Sequence, residues 1–172
     1  ICYFLDMDHF LNRIAIPYLS RPLKAIVHSD ALRHNYQTIR RAARVPVWAA
    51  LKANAYGHGI VPVARALSDT DAFGVARLKE ALALRDAGIM HPIVLLEGVY
   101  SPHDLELCAR LNLQPVVHSF EQLESLESWA STAKLTVWCK IDTGMNRLGF
   151  GVDAFPAAWA RLSCLSHVQQ LV

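Results

Sequence analysis

The sequence is poor in cysteine and carries little net charge. Its four cysteines lie far apart, and none belongs to a C-x-x-C pair. This spacing argues against a disulfide framework and a zinc knuckle, and it favours reduced thiols in a cytoplasmic protein. The formal net charge is +2 at pH 7, and the basic residues form no long run. We therefore expect neither nucleic acid nor a membrane surface as a partner.

Long apolar runs and several common motifs are also missing. The opening segment, residues 1–20, is interrupted by Asp6, Asp8 and Arg13, which excludes a membrane span, and it lacks the order of a signal peptide. It is predicted to be an arm, either packed on the body or carried over from a truncated reading frame. No G-x-G-x-x-G, G-K-[ST], G-x-S-x-G or H-E-x-x-H motif occurs, so no dinucleotide, P-loop, serine-hydrolase or metal site is predicted.

What the chain does contain is a regular alternation of apolar runs and helical patterns. Its 172 residues, 53% of them hydrophobic, are enough for one domain with a substantial core. Short apolar runs predict a strand at KAIVH and six further strands, of which VPVWAALK and AFGVA are expected to be buried. These six runs are VPVWAALK, AFGVA, PIVLLEG, QPVVH, LTVWCKID and VQQLV.

The segments between these strands predict helices with recognisable starts. Ser29 or Asp30 is expected to cap the first helix, Ser101 a later one, and Ser119 with Gln122 to form a capping box. Strands and helices alternating every 20–25 residues or so predict βαβ units around a parallel sheet. A (β/α)8 barrel of the TIM type fits this pattern but needs about 250 residues. The sequence therefore predicts an incomplete barrel of about five to six βα units.

Two polar clusters follow predicted strands, and active sites of such barrels lie at these carboxyl ends. The first is LKANAYGHG, residues 51–59, in which Lys52 follows an apolar run and Asn54 and Gly57 are expected to shape a turn. The second is CKIDTGMNRLGF, residues 139–150, with Lys140 and Arg147. Lys52 alone fits two interpretations: a strand-end lysine reaching water, or a lysine on a rigid strand that forms a Schiff base.

These two strings resemble the signature segments of alanine racemase, a fold-type III family dependent on pyridoxal 5'-phosphate. The resemblance extends from about residue 21 to residue 172 and includes DAFGVARLKEALALRDAG and PIVLLEG. It implies that residues 21–172 are part of the family's N-terminal barrel domain. It also implies that the C-terminal β-domain is missing from this sequence.

The resemblance assigns roles to four residues. Lys52 matches the catalytic lysine that carries the cofactor as an imine and acts as a base on one face of the substrate. Tyr56 matches a tyrosine that binds the cofactor phosphate, and Arg147 an arginine near the cofactor oxygen and the substrate carboxylate. Lys140 matches a lysine that is often carbamylated in the family. The neighbouring Asp142 is either a counterion for the cations or a turn residue.

Family members interconvert L-alanine and D-alanine, which supplies D-alanine for peptidoglycan, and they act as cytoplasmic homodimers. Their second base is a tyrosine of the β-domain that reaches in from the partner subunit. Because no matching residue is present here, residues 1–172 alone are expected to be inactive. The alternative interpretation is a non-catalytic protein of the same barrel fold that binds or carries pyridoxal phosphate.

Overall fold

A computed structural model describes residues 25–172 of the chain. The predicted arm over residues 1–20 lies outside the described residues. The helices are α1 (Ser29–Ala43), α2 (Lys52–Tyr56), α3 (Ile60–Ala66), α4 (Leu78–Asp86), α5 (Pro102–Arg110), α6 (Phe120–Glu127) and α7 (Phe155–Ser163). The strands are β1 (Trp48–Ala50), β2 (Ala72–Val75), β3 (Ile93–Leu95), β4 (Leu113–Val117), β5 (Leu135–Cys139) and β6 (Val168–Leu171).

The strands form one parallel sheet in which spatial order equals sequence order, β1 to β6. In the register, Trp48 pairs with Ala72 and Ile93 with Leu113. The six apolar runs thus become the six strands, and a helix follows each strand up to β5. The burial expected for VPVWAALK is wrong over β1, where Trp48 and Ala50 are exposed, because β1 lies at one end of the strand order and has a strand neighbour on one side within the described residues. This confirms the expected α/β class with parallel strands of barrel type.

The two faces of the sheet differ because side chains alternate along a strand. One face packs against the helices, and there Phe73, Val75 and Ile93 are fully buried. The opposite face carries Trp48, Trp138 and Gln114. On it the rings of Trp48 and Trp138 lie 5.1 Å apart, and Trp138 Nε1 donates a hydrogen bond of 2.9 Å to the Gln114 side chain.

The helix starts agree with the sequence in part. Ser101 caps α5 by accepting from the Asp104 amide. Ser119 caps α6, but the Gln122 side chain accepts from the amide of His118 rather than from that of Ser119. The capping box is therefore half formed: Ser119 caps the helix, but the bond from the Gln122 side chain goes to the amide one residue before Ser119.

Two expectations at the start of the described chain are wrong. Residues 25–28, within the predicted KAIVH strand, form no strand, and Ile26 and Val27 are 62% and 41% exposed. A strand needs a neighbour for its backbone groups, and no strand within residues 25–172 pairs with this segment. The first helix begins at Ser29 itself, after His28, without a side-chain cap.

Two histidines of the described residues, His118 and His167, are buried. The Nε2 atom of His118 lies 3.1 Å from the Glu97 carbonyl oxygen, so this ring nitrogen has a hydrogen-bond partner although the residue is buried. No helix within residues 25–172 is both long enough and apolar enough to cross a bilayer.

Candidate functional site

The candidate site is an open pocket of about 440 Å³ near the carboxyl ends of the strands. It is lined by Lys52, Ala76, Leu96, Glu97, Tyr100, Val116, Lys140, Arg147 and Leu148. The structure thus brings together three of the four residues that the sequence singled out: Lys52, Lys140 and Arg147. The fourth, Tyr56, does not line this pocket, and its side chain is 60% exposed.

Lys52 owes its position to the apolar residue before it. Strand β1 ends at Ala50, but Leu51 continues the ladder, because its amide donates to the Gly74 carbonyl at 2.7 Å. The Leu51 side chain is 2% exposed and belongs to the core. Burial of this leucine fixes the point at which the chain leaves the sheet, and Lys52 is the next residue.

The chain then makes an unusual turn. Helix α2 is left-handed: Ala53, Asn54 and Ala55 have φ of 53° to 55° and ψ of 45° to 50°, and Tyr56 has φ of 55°. Left-handed helical geometry costs L-residues about 1–2 kcal/mol each. Gly57, with φ of 87°, ends the turn at little cost.

Side-chain contacts hold this turn in place. Asn54 Oδ1 accepts from the Ile60 amide at 2.8 Å, which satisfies a free donor at the start of α3. The expected role of Asn54 and Gly57 in shaping the turn therefore agrees with the structure. His58 belongs to the same loop, with its Nδ1 2.9 Å from the Ala55 carbonyl.

Glu80 also holds the turn, although neither of the two polar clusters contains it. Its Oε1 accepts from the Ala53 amide at 2.6 Å, and its Oε2 accepts from the Ala76 amide at 2.8 Å and the Arg77 amide at 3.2 Å. The sequence does indicate the hydrogen bonds that Glu80 makes at the start of its own helix. Glu80 stands three residues after Arg77, the position from which a glutamate bonds back to the start of its own helix. The bond to Ala53 joins distant segments and leaves no local signal.

Lys140 and Arg147 are brought together by a loop that returns on itself. The Phe150 amide donates to the Lys140 carbonyl and the Asp142 amide donates to the Phe150 carbonyl, both at 2.8 Å. Gly149 permits this closure: its φ is 126°, and a Cβ there would lie 2.7 Å from the Asp142 nitrogen. The segment 142–149, with Arg147, is thereby anchored beside the end of β5.

Asp142 acts within this loop. Its Oδ1 accepts from the Gly144 and Asn146 amides, both at 3.0 Å. These hydrogen bonds hold the pKa of the Asp142 carboxyl below its usual value, with a lesser contribution from the charge of Lys140. Of the two roles considered for Asp142, its contacts favour the turn residue over the counterion.

The opposite wall of the pocket is held by a polar clamp, which we define as Gln122 and His118 acting on Glu97. Gln122 Nε2 donates to the Glu97 carbonyl at 2.9 Å, and His118 Nε2 lies 3.1 Å from the same oxygen. The next residue, Gly98, has φ of 68° and lies so close to β4 that a Cβ would be 2.2 Å from the Val116 carbonyl oxygen. The clamp fixes the segment that presents Glu97 and Tyr100 to the pocket, two residues that the sequence motifs did not reveal.

The thiols near the pocket are unsuited to nucleophilic chemistry. Burial raises the pKa of the Cys139 thiol, next to Lys140, to about 11. A thiol with such a pKa is almost entirely protonated near neutral pH. Within residues 25–172, no three histidine, cysteine or acidic side chains gather in a way that could hold a metal ion.

Comparison with known proteins identifies the family. The model of the alanine racemase N-terminal domain matches residues 27–171, which is most of the chain. The chain belongs to the alanine racemase family. The resemblance inferred from residues 51–59 and 139–150 is thereby confirmed, and both alanine racemase motifs lie at the strand ends that line the pocket.

Relatives in the alanine racemase family extend well beyond the length of this chain. It is 46% identical over 154 residues to the alanine racemase of Verminephrobacter eiseniae, covering 89% of the chain and 42% of that protein. The crystal structure of the biosynthetic alanine racemase from Pseudomonas aeruginosa matches with a TM-score of 0.77 and 40% identity, over 83% of this chain and 40% of that one. The histidine racemase of Leuconostoc mesenteroides matches with a TM-score of 0.69 and 31% identity, over 81% and 39%. The chain thus spans about two fifths of the length of these proteins.

Proposed function

We propose that the full-length gene product is a racemase that interconverts L-alanine and D-alanine with pyridoxal 5'-phosphate, and that Lys52 is its cofactor lysine. The observation that carries this proposal is the shared pocket: Lys52 lies past the end of β1, directly after the buried Leu51, and lines one cavity with Lys140 and Arg147. The names of the relatives supply the reaction, and the matched motifs supply the residue roles.

The chemistry of the pocket suits this cofactor. Pyridoxal phosphate presents an aldehyde, a phenolic oxygen and a phosphate, so it needs a primary amine and cationic partners. Lys52 supplies the amine, and Arg147 supplies a guanidinium that can pair with an anionic oxygen. The cavity of about 440 Å³ falls within the range of roughly 300–1,000 Å³ typical of small-molecule sites.

When bound, the cofactor stabilises the negative charge that develops on the α-carbon of an amino acid. Lys52 would accept or return the α-proton at its Nζ on one face of that carbon. Arg147, on the loop anchored beside β5, would bind the substrate carboxylate and the cofactor oxygen. Tyr56 would contribute its hydroxyl to the phosphate. Racemisation needs a second proton-transfer group on the opposite face, and we place it outside residues 25–172, on the partner subunit of a homodimer.

Lys140 is proposed to be carbamylated. Its ammonium group would lose one proton, and the resulting amine would add to carbon dioxide, forming an N–C bond as one C=O π bond breaks and releasing a second proton. The loss of two protons turns the cation into an anion. Two unmodified cations lining one pocket, Lys140 and Arg147, repel each other, whereas a carbamate can accept hydrogen bonds from the guanidinium. A crystallographic map of the full-length protein with a bare amine at Lys140 would remove this assignment.

The cofactor assignment is tested on the full-length protein by adding pyridoxal phosphate and recording the absorption band of its linkage to lysine. Reduction with borohydride followed by peptide mapping should place the label on Lys52. Lys52→Ala should lose the band, whereas Lys79→Ala, which removes an exposed lysine on α4, should keep it. A label at another lysine would refute the proposal.

The reaction is tested separately in deuterated water, where racemisation of L-alanine must introduce deuterium at the α-carbon of both enantiomers. Deuterated D-alanine is the expected product. A protein that binds the cofactor on Lys52 but forms no D-alanine would instead be the carrier considered above. Parallel assays with serine and histidine test the substrate, because a similar fold occurs in a protein named histidine racemase.

We further propose that the protein acts in the cytoplasm and supplies D-alanine for peptidoglycan. The three cysteines within the described residues, Cys108, Cys139 and Cys164, form no disulfide, as is usual in a reducing compartment. Growth of a D-alanine auxotroph expressing the full-length gene tests the biological role, and sedimentation of the purified protein tests the homodimer.

A further inference from the structure

Glu80 joins the segment that follows Lys52 to the helix that follows the next strand. One carboxylate oxygen accepts from the Ala53 amide at 2.6 Å and lies 3.4 Å from the Asn54 nitrogen. The other accepts from the Ala76 and Arg77 amides at 2.8 Å and 3.2 Å. Both oxygens are thus engaged by backbone donors, on two elements that are distant in sequence.

The donors on one side belong to the left-handed turn. Ala53 and Asn54 are its first residues after Lys52, and each adopts a backbone geometry that an L-residue rarely takes. A turn of this kind persists when the surrounding structure holds it. Hydrogen bonds that involve an ionised carboxylate are roughly twice as strong as neutral ones, so Glu80 is well suited to hold the first amides of the turn.

We propose that Glu80 is a positioning residue that holds the backbone beside Lys52 and thereby keeps the lysine amine at the pocket. This inference rests on the proposed role of Lys52 as the cofactor lysine. Glu80 itself does not line the pocket and contacts no reacting atom, so it acts through the turn. The inference predicts that the charge and the length of this side chain both matter for cofactor attachment.

Three variants of the full-length protein separate this role from simple capping of α4. Glu80→Gln keeps the shape but leaves one carbonyl oxygen to serve two sets of donors. Glu80→Asp keeps the charge at the start of α4, where an aspartate is favourable, but is one methylene too short to reach both segments. Asp86→Asn removes an exposed carboxylate from the same helix and is the matched control.

The first measurement is hydrogen exchange at the amides of Ala53 and Asn54 in the protein without cofactor. Losing a hydrogen bond to a charged group should speed this exchange roughly 10- to 100-fold in Glu80→Gln. Glu80→Asp should show the same direction of change, whereas Asp86→Asn should exchange like the wild type. The second measurement is the pyridoxal phosphate concentration that gives half of the lysine-linkage band. It should rise in both Glu80 variants relative to the wild type and Asp86→Asn, because apparent affinity falls with the fraction of molecules in the competent state.

The outcomes distinguish this role from the cofactor assignment. A wild-type protein that never gains the band would overturn the proposed function without reference to any variant. If the wild type gains the band, unchanged exchange in Glu80→Gln would overturn the contact. Faster exchange with an unchanged half-saturation concentration would overturn the positioning role. Glu80→Asp behaving like the wild type in both measurements would likewise overturn it, because capping of α4 would then suffice.

Discussion

Replacing Gly98 with alanine should destabilise the protein more than the same change at another glycine with similar backbone geometry. Gly98 has φ of 68°, and a Cβ there would lie 2.2 Å from the Val116 carbonyl oxygen and 2.6 Å from Gln122 Nε2. Gly88 has φ of 77°, and a Cβ there would meet nothing within 4 Å. The two positions therefore share the backbone penalty, and Gly98 adds a collision.

The size of each effect follows from these distances. Alanine in left-handed geometry costs about 1–2 kcal/mol, which is the whole expected loss at position 88. At position 98 the Val116 carbonyl is part of a strand and cannot swing away, and overpacking of this kind costs a further 1–3 kcal/mol or so. The total for Gly98→Ala is about 2–5 kcal/mol. Moving Gln122 to make room would also break its bond to the Glu97 carbonyl.

Thermal unfolding of the full-length protein, followed by circular dichroism, measures both variants under one set of conditions. For a domain of 150–250 residues, 1 kcal/mol shifts Tm by roughly 2–4 °C, so Gly88→Ala should lose a few degrees and Gly98→Ala clearly more. Equal shifts in Tm would refute the collision. A larger decrease in Tm for Gly88→Ala than for Gly98→Ala would contradict the surroundings described for both glycines.

Three further predictions concern side chains outside the pocket lining or next to it. Arg85 donates to four backbone carbonyls in the segments between α4 and β4, and a lysine ammonium cannot reach all four. Arg85→Lys should therefore lower the free energy of unfolding by about 2 kcal/mol, measured by thermal unfolding. The same change at the exposed Arg65 should leave it unaltered. Burial lowers the pKa of His167, so on acidification the ring stays neutral in the native protein while it binds a proton in the unfolded chain. Tm should therefore fall as the pH drops below about 6.5. His167→Phe should weaken this dependence of Tm on pH. Asp142→Ala should speed tryptic cleavage after Arg147 more than Asp142→Asn, because the asparagine oxygen can still accept the loop amides; equal rates would contradict the role in the turn.

The strands were predictable because each is a short apolar run, and these runs alternate along the chain with helical patterns. The KAIVH segment carries the same local signal and yet forms no strand over residues 25–28, because strand formation also depends on a neighbour with which to pair. The start of α6 shows the same limit at smaller scale. The sequence places Ser119 and Gln122 correctly at the helix start, but only packing decides which amide Gln122 accepts from.

The site was predictable to the extent that its residues lie in two local strings at strand ends. Lys52, Lys140 and Arg147 meet because parallel strands end at one edge. Left-handed geometry at Ala53 was not predictable, since alanine is the best former of right-handed helix. The turn is contacted by Glu80, which lies far along the chain, and such a contact leaves no trace in the local sequence.

The consecutive order of the strands has a consequence for how the polypeptide is made. Paired positions such as Phe73 and Ile93 are separated by about 20 residues, so each new strand finds its partner already synthesised. At translation rates of roughly 5–20 residues per second, one βα unit emerges every 1–5 seconds or so, far slower than the formation of a helix. The ribosome can therefore deliver this sheet one unit at a time, each added to the edge of the last.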